Sequence, residues 1–239
     1  NENCGALFPS VIQKAVIEHQ AHLGIALDGD GDRIIMVDEK GHIVDGDMIL
    51  SICAHDLKRK SQLRRNRVVA TVMTNFGVLK YLESQDIDVL ISPVGDRHVL
   101  QSMLENEASL GGEQSGHMIF LDYNTTGDGI VSALQVLRIM IESESTLSDL
   151  TSAIVKSPQA LINVSVREKL PLDNFPSIQE ALRDIQSALG SSGRILLRYS
   201  GTENICRVMV EGLKKHQVDC LAKTLADIIT LELGSRVIE

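Results

Sequence analysis

The sequence predicts an α/β protein in two parts: a mixed-sheet α/β domain, then a small α+β domain. Three observations carry that expectation. From residue 68 to 141, short β-rich apolar runs alternate with segments of helical period across short loops, the pattern of a largely parallel or mixed sheet flanked by helices. After Pro158 the order changes to strand, helix, two strands and a long helix, which fits helices on one side of an antiparallel sheet. The 239 residues, 44% hydrophobic and 23% charged, are ordinary globular material and suffice for one large or two ordinary domains. Aromatics make up only 3% and Trp is absent, so the cores are aliphatic and stacking sites for bases or sugars are scarce.

In chain order, Pro9 to Gln13 opens a helix, with Ser10 and Gln13 at capping-box spacing and Ile12, Ala15, Val16 and His19 at helical spacing. The apolar runs 23–27 and 34–37 read as buried strands, followed by a turn at Asp38-Glu39-Lys40-Gly41, a short strand at 42–44 and a helix from Gly46 to about Lys60. Then come strand 68–72, helix 76–84, strand 88–91, helix 96–106 and a strand-like run 116–120. Asp128 caps an apolar helix reaching Ile141, and 146–155 reads as a connecting helix. In the second part, a strand near 160–167 precedes a helix from about Ser177 to Leu189, ended by Gly190. Strands 194–198 and 205–210 follow, and then a helix from Lys214 to Leu231 with Val218, Leu221, Leu225 and Ile228 on one face.

A net charge of −9 argues against general nucleic-acid binding, which needs a basic face. The basic run Lys58, Arg59, Lys60, Arg64, Arg65 and Arg67 falls at a helix end and its following loop, where cations suit the helix dipole, and reads as solvated surface. No apolar run reaches membrane-spanning length and no signal peptide is read, so no membrane partner is expected. Cysteines at 4, 53, 206 and 220, without a C-x-x-C pair, fit free thiols in a reducing cytoplasm. The chain begins Asn1-Glu2-Asn3 without an initiating Met, so it is expected to be part of a longer protein.

The stretch Asp28-Gly29-Asp30-Gly31-Asp32-Arg33 places carboxylates at every second position between two apolar strands. Gly29 and Gly31 allow the tight turn. Three like charges held this close repel, and a hard divalent cation with oxygen ligands relieves them. A solvated acidic turn is the plainer alternative, but three alternating aspartates between strands favour a metal. Asp28, Asp30, Asp32, Ile35 and Glu39 also fall at positions of an EF-hand loop, yet Arg33 stands where that loop needs Gly, and the flanks are strands. Arg33 beside the carboxylates fits a metal shared with an anion, phosphate above all, because Mg²⁺ takes few carboxylates plus phosphate oxygens.

Three further loops carry polar groups. Gly111-Gly112-Glu113-Gln114-Ser115-Gly116-His117 combines close backbone approach with a carboxylate, a hydroxyl and an imidazole, the set that adjacent sugar hydroxyls require; a polar turn is an equal alternative. Ser115 lacks the G-x-S-x-G spacing of a hydrolase elbow. Arg198-Tyr199-Ser200-Gly201-Thr202-Glu203-Asn204 offers a guanidinium fork, hydroxyls and free amides, a phosphate cradle or a polar hairpin, and Arg207 is close enough either to help or to pair with Glu203. Val94-Gly95-Asp96-Arg97-His98 follows a strand end, where α/β sheets face ligands.

In order and spacing these loops resemble the α-D-phosphohexomutase family along the whole chain. Asp28-Gly-Asp-Gly-Asp-Arg33 is similar to the family's metal loop, Gly112-Glu-Gln-Ser-Gly-His117 to its sugar loop and Arg198-Tyr-Ser-Gly-Thr-Glu203 to its phosphate loop. Gln114, Val94-Gly-Asp-Arg97 and Thr71-Val-Met-Thr-Asn-Phe-Gly77 are most similar to the family's amino-sugar branch; the mannose and glucose branch usually has Met at Gln114.

The resemblance implies a four-domain enzyme with a TATA-binding-protein-like last domain. Residues 1–43 would end domain 2 with the metal loop, 44–157 would be domain 3 with the sugar loop, and 158–239 the C-terminal α+β domain with the phosphate loop. It implies an active-site phosphoserine in a missing N-terminal half, since no Ser here lies in a Ser-His-Asn-Pro setting. By the same resemblance Asp28, Asp30 and Asp32 hold Mg²⁺; from the residues themselves, Arg33 and His117 are the catalytic candidates. The resemblance also has Glu113 and Ser115 grip sugar hydroxyls, while Arg198, Ser200, Gly201, Thr202 and Arg207 hold the non-reacting phosphate. The implied reaction interconverts glucosamine 6-phosphate and 1-phosphate through a 1,6-bisphosphate, in the cytoplasm, with mannose or glucose phosphates as the alternative substrates and a homodimer as one allowed assembly. A non-catalytic phosphosugar-binding fragment is the reading from another class. Tyr199, Asn204 and His98 depart from common family choices and are expected to alter local packing and not chemistry, with a looser phosphate loop at Asn204 the one exception allowed.

Overall fold

The structure, a computed structural model, describes residues 2–234 and the backbone of 237–238. The chain divides into two units, Asn1–Val155 and Lys156–Glu239.

The first unit begins with α1 (Ser10–Glu18), β1 (Leu23–Leu27), β2 (Ile34–Asp38) and β3 (Ile43–Val44), a three-stranded antiparallel sheet in the order β1-β2-β3. Leu27 pairs with Ile34, so residues 28–33 are the loop that closes a hairpin. Asp38 makes the next turn: its carboxylate accepts the Lys40 and His42 amides at 2.9 and 2.7 Å. The expected cap at Ser10 is corrected. Pro9 occupies the capping position, makes no side-chain bond, and Ser10 is already helical. Gln13 instead reaches across to the Gly41 carbonyl at 2.7 Å.

There follow α2 (Gly46–Arg59), β4 (Arg67–Thr71), α3 (Phe76–Ser84), β5 (Asp88–Ser92), α4 (Asp96–Glu105), β6 (Leu110–Gly112), β7 (Met118–Phe120), α5 (Gly129–Ser143) and α6 (Leu147–Thr151). The second sheet runs β5-β4-β6-β7, with β4 parallel to β5 and β6, and β6 antiparallel to β7. It is the mixed sheet that the alternation predicts. Residues on both sides of Val44 share one aliphatic core, in which Ile34 and Met36 join Ile49, Leu50, Leu82, Leu110, Met118 and Leu147. Asp128 caps α5 by accepting the Ile130 and Val131 amides, both at 2.9 Å.

Two expectations fail here for physical reasons. Gly111 and Gly112 are not loop but buried strand. Side chains there would strike the Met103 and Met118 sulfurs at 2.6 and 2.4 Å, so the lack of Cβ serves packing. The connecting helix is only one turn, α6, made by a Thr146–Asp149 capping box and over by Ser152.

The basic run is a paired surface. Lys58 meets Asp86, Arg59 and Lys60 meet buried Asp56, Arg64 meets Asp122, Arg65 meets Glu107, and Arg67 meets Asp88. Its charge is spent inside the unit, in keeping with the acidic whole.

The second unit comprises β8 (Gln159–Ser165), α7 (Pro176–Leu189), β9 (Arg194–Tyr199), β10 (Ile205–Glu211), α8 (Lys215–Leu233) and β11 (Val237–Ile238). The sheet β11-β8-β10-β9 is antiparallel throughout. Val164, Cys206, Val208 and Val210 form a core with Ile178 and Ile185 of α7 and with α8. The buried stripe of α8 is Val218, Ala222, Leu225, Ala226, Ile229 and Leu233, and Leu221 and Ile228 lie at its margin. On the other face, Asn163, Arg207 and Arg198 stand in one row across three strands.

Candidate active site

The strands β1 and β2 hold both ends of the acidic loop. Asp28 donates its amide to the Arg33 carbonyl at 3.3 Å, and Arg33 returns its amide to Asp28 Oδ1 at 3.2 Å. Gly31 takes the turn at φ +77°, and its carbonyl accepts the first amide of α5, from Gly129, at 2.9 Å. Gly29 has no positive φ, so one glycine rather than two makes the turn.

Ligand oxygens of Asp28, Asp30 and Asp32 all lie within 4.8 Å of one another. Burial, and then the neighbouring Asp28 carboxylate, push the Asp32 carboxyl above the usual range, while His117 acts the other way. Arg33 Nε stands 3.8 Å from Asp28 and 4.0 Å from Asp32, beyond hydrogen-bond reach. Asp32 Oδ1 is buried without a hydrogen-bond partner. Three clustered carboxylates, one with an unsatisfied buried oxygen, are a hard-oxygen donor set that fits Mg²⁺.

The Glu113–His117 loop closes on this hairpin. Gly116 sits at φ +93° against Ile34, and a Cβ there would fall 1.9 Å from the Ile34 carbonyl oxygen. The Gly116 carbonyl accepts the Ile34 amide at 3.1 Å, and Arg33 and His117 pair as an isolated antiparallel bridge. His117 is thereby buried, with Nε2 3.5 Å from Asp32 Oδ2. Gly127 leaves room for the ring, since a Cβ there would lie 2.3 Å from Nε2. A tight turn runs from Glu113, whose amide donates to the His117 carbonyl and whose carbonyl accepts the Gly116 amide, both at 3.0 Å. Glu113 Oε1 also accepts the Gly95 amide at 2.8 Å, which ties the Val94-Gly95 turn to this loop. Ser115 is exposed at the tip. The first unit thus gathers Asp28, Asp30, Asp32, Arg33, Glu113, Ser115 and His117.

Arg198, Ser200, Gly201, Thr202 and Arg207 belong to the second unit. Arg198 and Arg207 are directly paired across β9 and β10. Burial, then the charge of Arg207, lowers the Arg198 guanidinium from its usual value. The Arg207 Nε is buried without a hydrogen-bond partner, and no ion pair to Glu203 forms. Ser200 is buried and donates its amide to Ile205 at 2.8 Å, while Gly201 and Thr202 are exposed. The Asn204 carbonyl accepts the Val166 amide at 2.9 Å, and its side chain donates to the Arg167 carbonyl at 3.5 Å. His98 lies exposed on α4.

Sequence reasoning passed over Lys169, which donates to the Ser200 carbonyl at 2.7 Å, and Asn163, the neighbour of Arg207 in β8. Lys169 sits in a charged stretch that looks like ordinary surface, and Asn163 in an otherwise apolar strand. A polar residue inside such a strand is the one signal that points to it.

Two models of the phosphoglucomutase/phosphomannomutase family match this chain: alpha/beta/alpha domain III over residues 45–157 and the C-terminal domain over residues 161–228. The chain belongs to that family. It is 83% identical over all of its length to a phosphoglucosamine mutase of Chlamydia abortus and 76% identical to one of Chlamydia trachomatis serovar L2, in each case covering 52% of the relative. This family member therefore spans about half the length of those relatives. Among solved structures, an Aspergillus fumigatus N-acetylphosphoglucosamine mutase in complex with GlcNAc-6P and magnesium matches with a TM-score of 0.75 at 22% identity, over 95% of this chain and 52% of that one. A phosphoglucomutase/phosphomannomutase family protein of Burkholderia thailandensis matches with a TM-score of 0.76 at 19% identity, over 98% and 52%. At these identities the structures establish the fold that the family membership implies.

Proposed function

We propose that the chain is the metal-, sugar- and phosphate-binding half of a phosphoglucosamine mutase, which converts glucosamine 6-phosphate to glucosamine 1-phosphate through a phosphoserine and a 1,6-bisphosphate. The observation that carries this reading is the closure of the Glu113–His117 loop onto the acidic hairpin, with His117 3.5 Å from Asp32. The identity to phosphoglucosamine mutases supports the amino sugar over mannose or glucose.

Asp28, Asp30 and Asp32 would hold Mg²⁺, which neutralises charge on the transferring phosphoryl group when bound. Arg33, beside them but not locked to them, is free to meet an anionic oxygen on that group. Glu113 accepts hydrogen bonds from sugar hydroxyls on one carboxylate oxygen while the other stays fixed by Gly95, and Ser115 supplies a hydroxyl at the tip. His117 stands where it can hold or move a proton beside Asp32. In the second unit Arg198, Arg207, Ser200 and the amides of Gly201 and Thr202 take the phosphate that is not reacting. Fixed grips on sugar and phosphate supply the positioning that lets either phosphate react in turn. The serine nucleophile would come from the half outside this chain, so the 239-residue chain alone would bind substrate without converting it. Cys4, Cys53, Cys206 and Cys220 are all free thiols, in keeping with a cytoplasmic setting. Among the described residues no helix is long and apolar enough to cross a membrane.

Calorimetric titration of this chain with glucosamine 6-phosphate in the presence of Mg²⁺ tests the reading. Saturable binding that Glu113→Ala weakens supports it. Binding that ignores Glu113, or no binding at all, counts against it.

A further inference from the structure

The loop 199–204 is braced from one side by the segment that follows β8. Lys169 Nζ donates to the Ser200 carbonyl at 2.7 Å and to the Gly201 carbonyl at 3.3 Å. Nearby, the Tyr199 hydroxyl donates to the Leu170 carbonyl at 2.6 Å and the Asn204 side chain to the Arg167 carbonyl at 3.5 Å. The loop is thus tied to 166–170 at both ends and in the middle.

The middle tie has a directional consequence. In a trans peptide the C=O and the next N–H point to opposite sides. Turning the Ser200 and Gly201 carbonyls toward an ammonium turns the Gly201 and Thr202 amides away from it. The flanking amides are already committed, Ser200 to the Ile205 carbonyl at 2.8 Å and Glu203 to Ser200 Oγ at 3.4 Å. Those of Gly201 and Thr202 have no partner among the described residues, and both residues are exposed. Two successive unengaged amides on one side of the loop are donors for an anion.

We propose that Lys169 is a positioning residue for phosphate: it fixes two peptide planes so that the Gly201 and Thr202 amides face a phosphate monoester. The inference deepens the phosphate-loop reading given above and rests on it. Lys169 itself sits behind the loop, and its contribution reaches the ligand through the backbone.

The test is amide-resolved NMR titration of the 239-residue chain with inorganic phosphate, then with glucosamine 6-phosphate, beside Lys169→Met, Lys169→Arg and Arg207→Ala. In the parent chain the Gly201 and Thr202 signals should move to saturation. Lys169→Met keeps the apolar stem and removes the donors; it should shift both signals before any phosphate is added and weaken phosphate binding about tenfold, the scale of one charge-assisted hydrogen bond. Its unfolding midpoint should stay near that of the parent, because the side chain is exposed, and Lys169→Arg should recover most of the affinity. Parent-like affinity and parent-like Gly201 and Thr202 responses in Lys169→Met, with Arg207→Ala defective, would overturn the role of Lys169 and leave the phosphate loop standing. Absence of phosphate binding in the parent chain would overturn the loop reading and this inference with it.

Discussion

His117 Nε2 lies 3.5 Å from the Asp32 carboxylate, and the two reach that distance on backbones that meet at the Arg33–His117 bridge. The acidic hairpin and the Glu113–His117 loop are therefore one assembly.

Metal affinity is the most direct expectation of the acidic triad. Asp30 is its exposed member, so Asp30→Asn removes one charge without disturbing a core. Magnesium affinity of the chain, read by calorimetry, should fall at least about tenfold, the scale on which even outer-shell losses act. Unchanged affinity would remove the triad as the metal site.

The close approach of the two loops depends on a missing Cβ. Gly116→Ala combines φ +93° with a clash 1.9 Å from the Ile34 carbonyl oxygen. It should cost about 2–4 kcal/mol in denaturant unfolding. A loss below about 0.5 kcal/mol would mean that the loops do not meet this closely.

Asp56 links stability to pH. Burial alone would raise its carboxyl, but Lys60, Arg59 and Arg138 outweigh burial and hold it below 3.8. A carboxylate whose folded pKa is depressed adds stability above its unfolded pKa and loses it as pH falls through the folded value. Asp56→Asn should therefore cost about 1–3 kcal/mol near neutral pH, since it strands partly buried cations. The gap between variant and parent should close below a pH of about 3.8. A gap that stays constant with pH would contradict the pairing.

The four thiols should divide into two classes. Burial pushes the Cys53 thiol up to about 12 and the Cys206 thiol up to about 11, whereas Cys4 is half-buried and Cys220 exposed. Alkylation at about pH 8 should modify Cys4 and Cys220 in the native chain, and all four only after denaturation. Native-state labelling of Cys53 would show that α2 does not bury it.

Much of the fold was legible because its cues are local. Alternating apolar runs, the Asp128 cap and Gly190 each act within a few residues, and the elements they mark are present. The errors have tertiary causes. Gly111 and Gly112 look like loop because glycine carries no periodicity, and only the Met103 and Met118 sulfurs explain them as strand. Ser10 and Gln13 have a cap's spacing, but Gln13 is drawn to Gly41, which is distant in sequence. At the site, the acidic hairpin could be read from spacing alone. The contact of His117 with Asp32 could not, because it depends on a bridge between residues 84 positions apart in sequence. Lys169 was hidden for a similar reason: its partners are backbone carbonyls, which no side-chain pattern reveals.

Whether this chain is the binding half of a mutase is decided by a mutase assay with glucosamine 6-phosphate, Mg²⁺ and a priming 1,6-bisphosphate. It compares the 239-residue chain with the same chain joined to the preceding half of a full-length relative. Turnover is expected in the joined protein, faster on glucosamine 6-phosphate than on glucose or mannose 6-phosphate, and none in the chain alone. Turnover by the chain alone, or a joined protein that prefers the hydroxy-sugars, would contradict that reading.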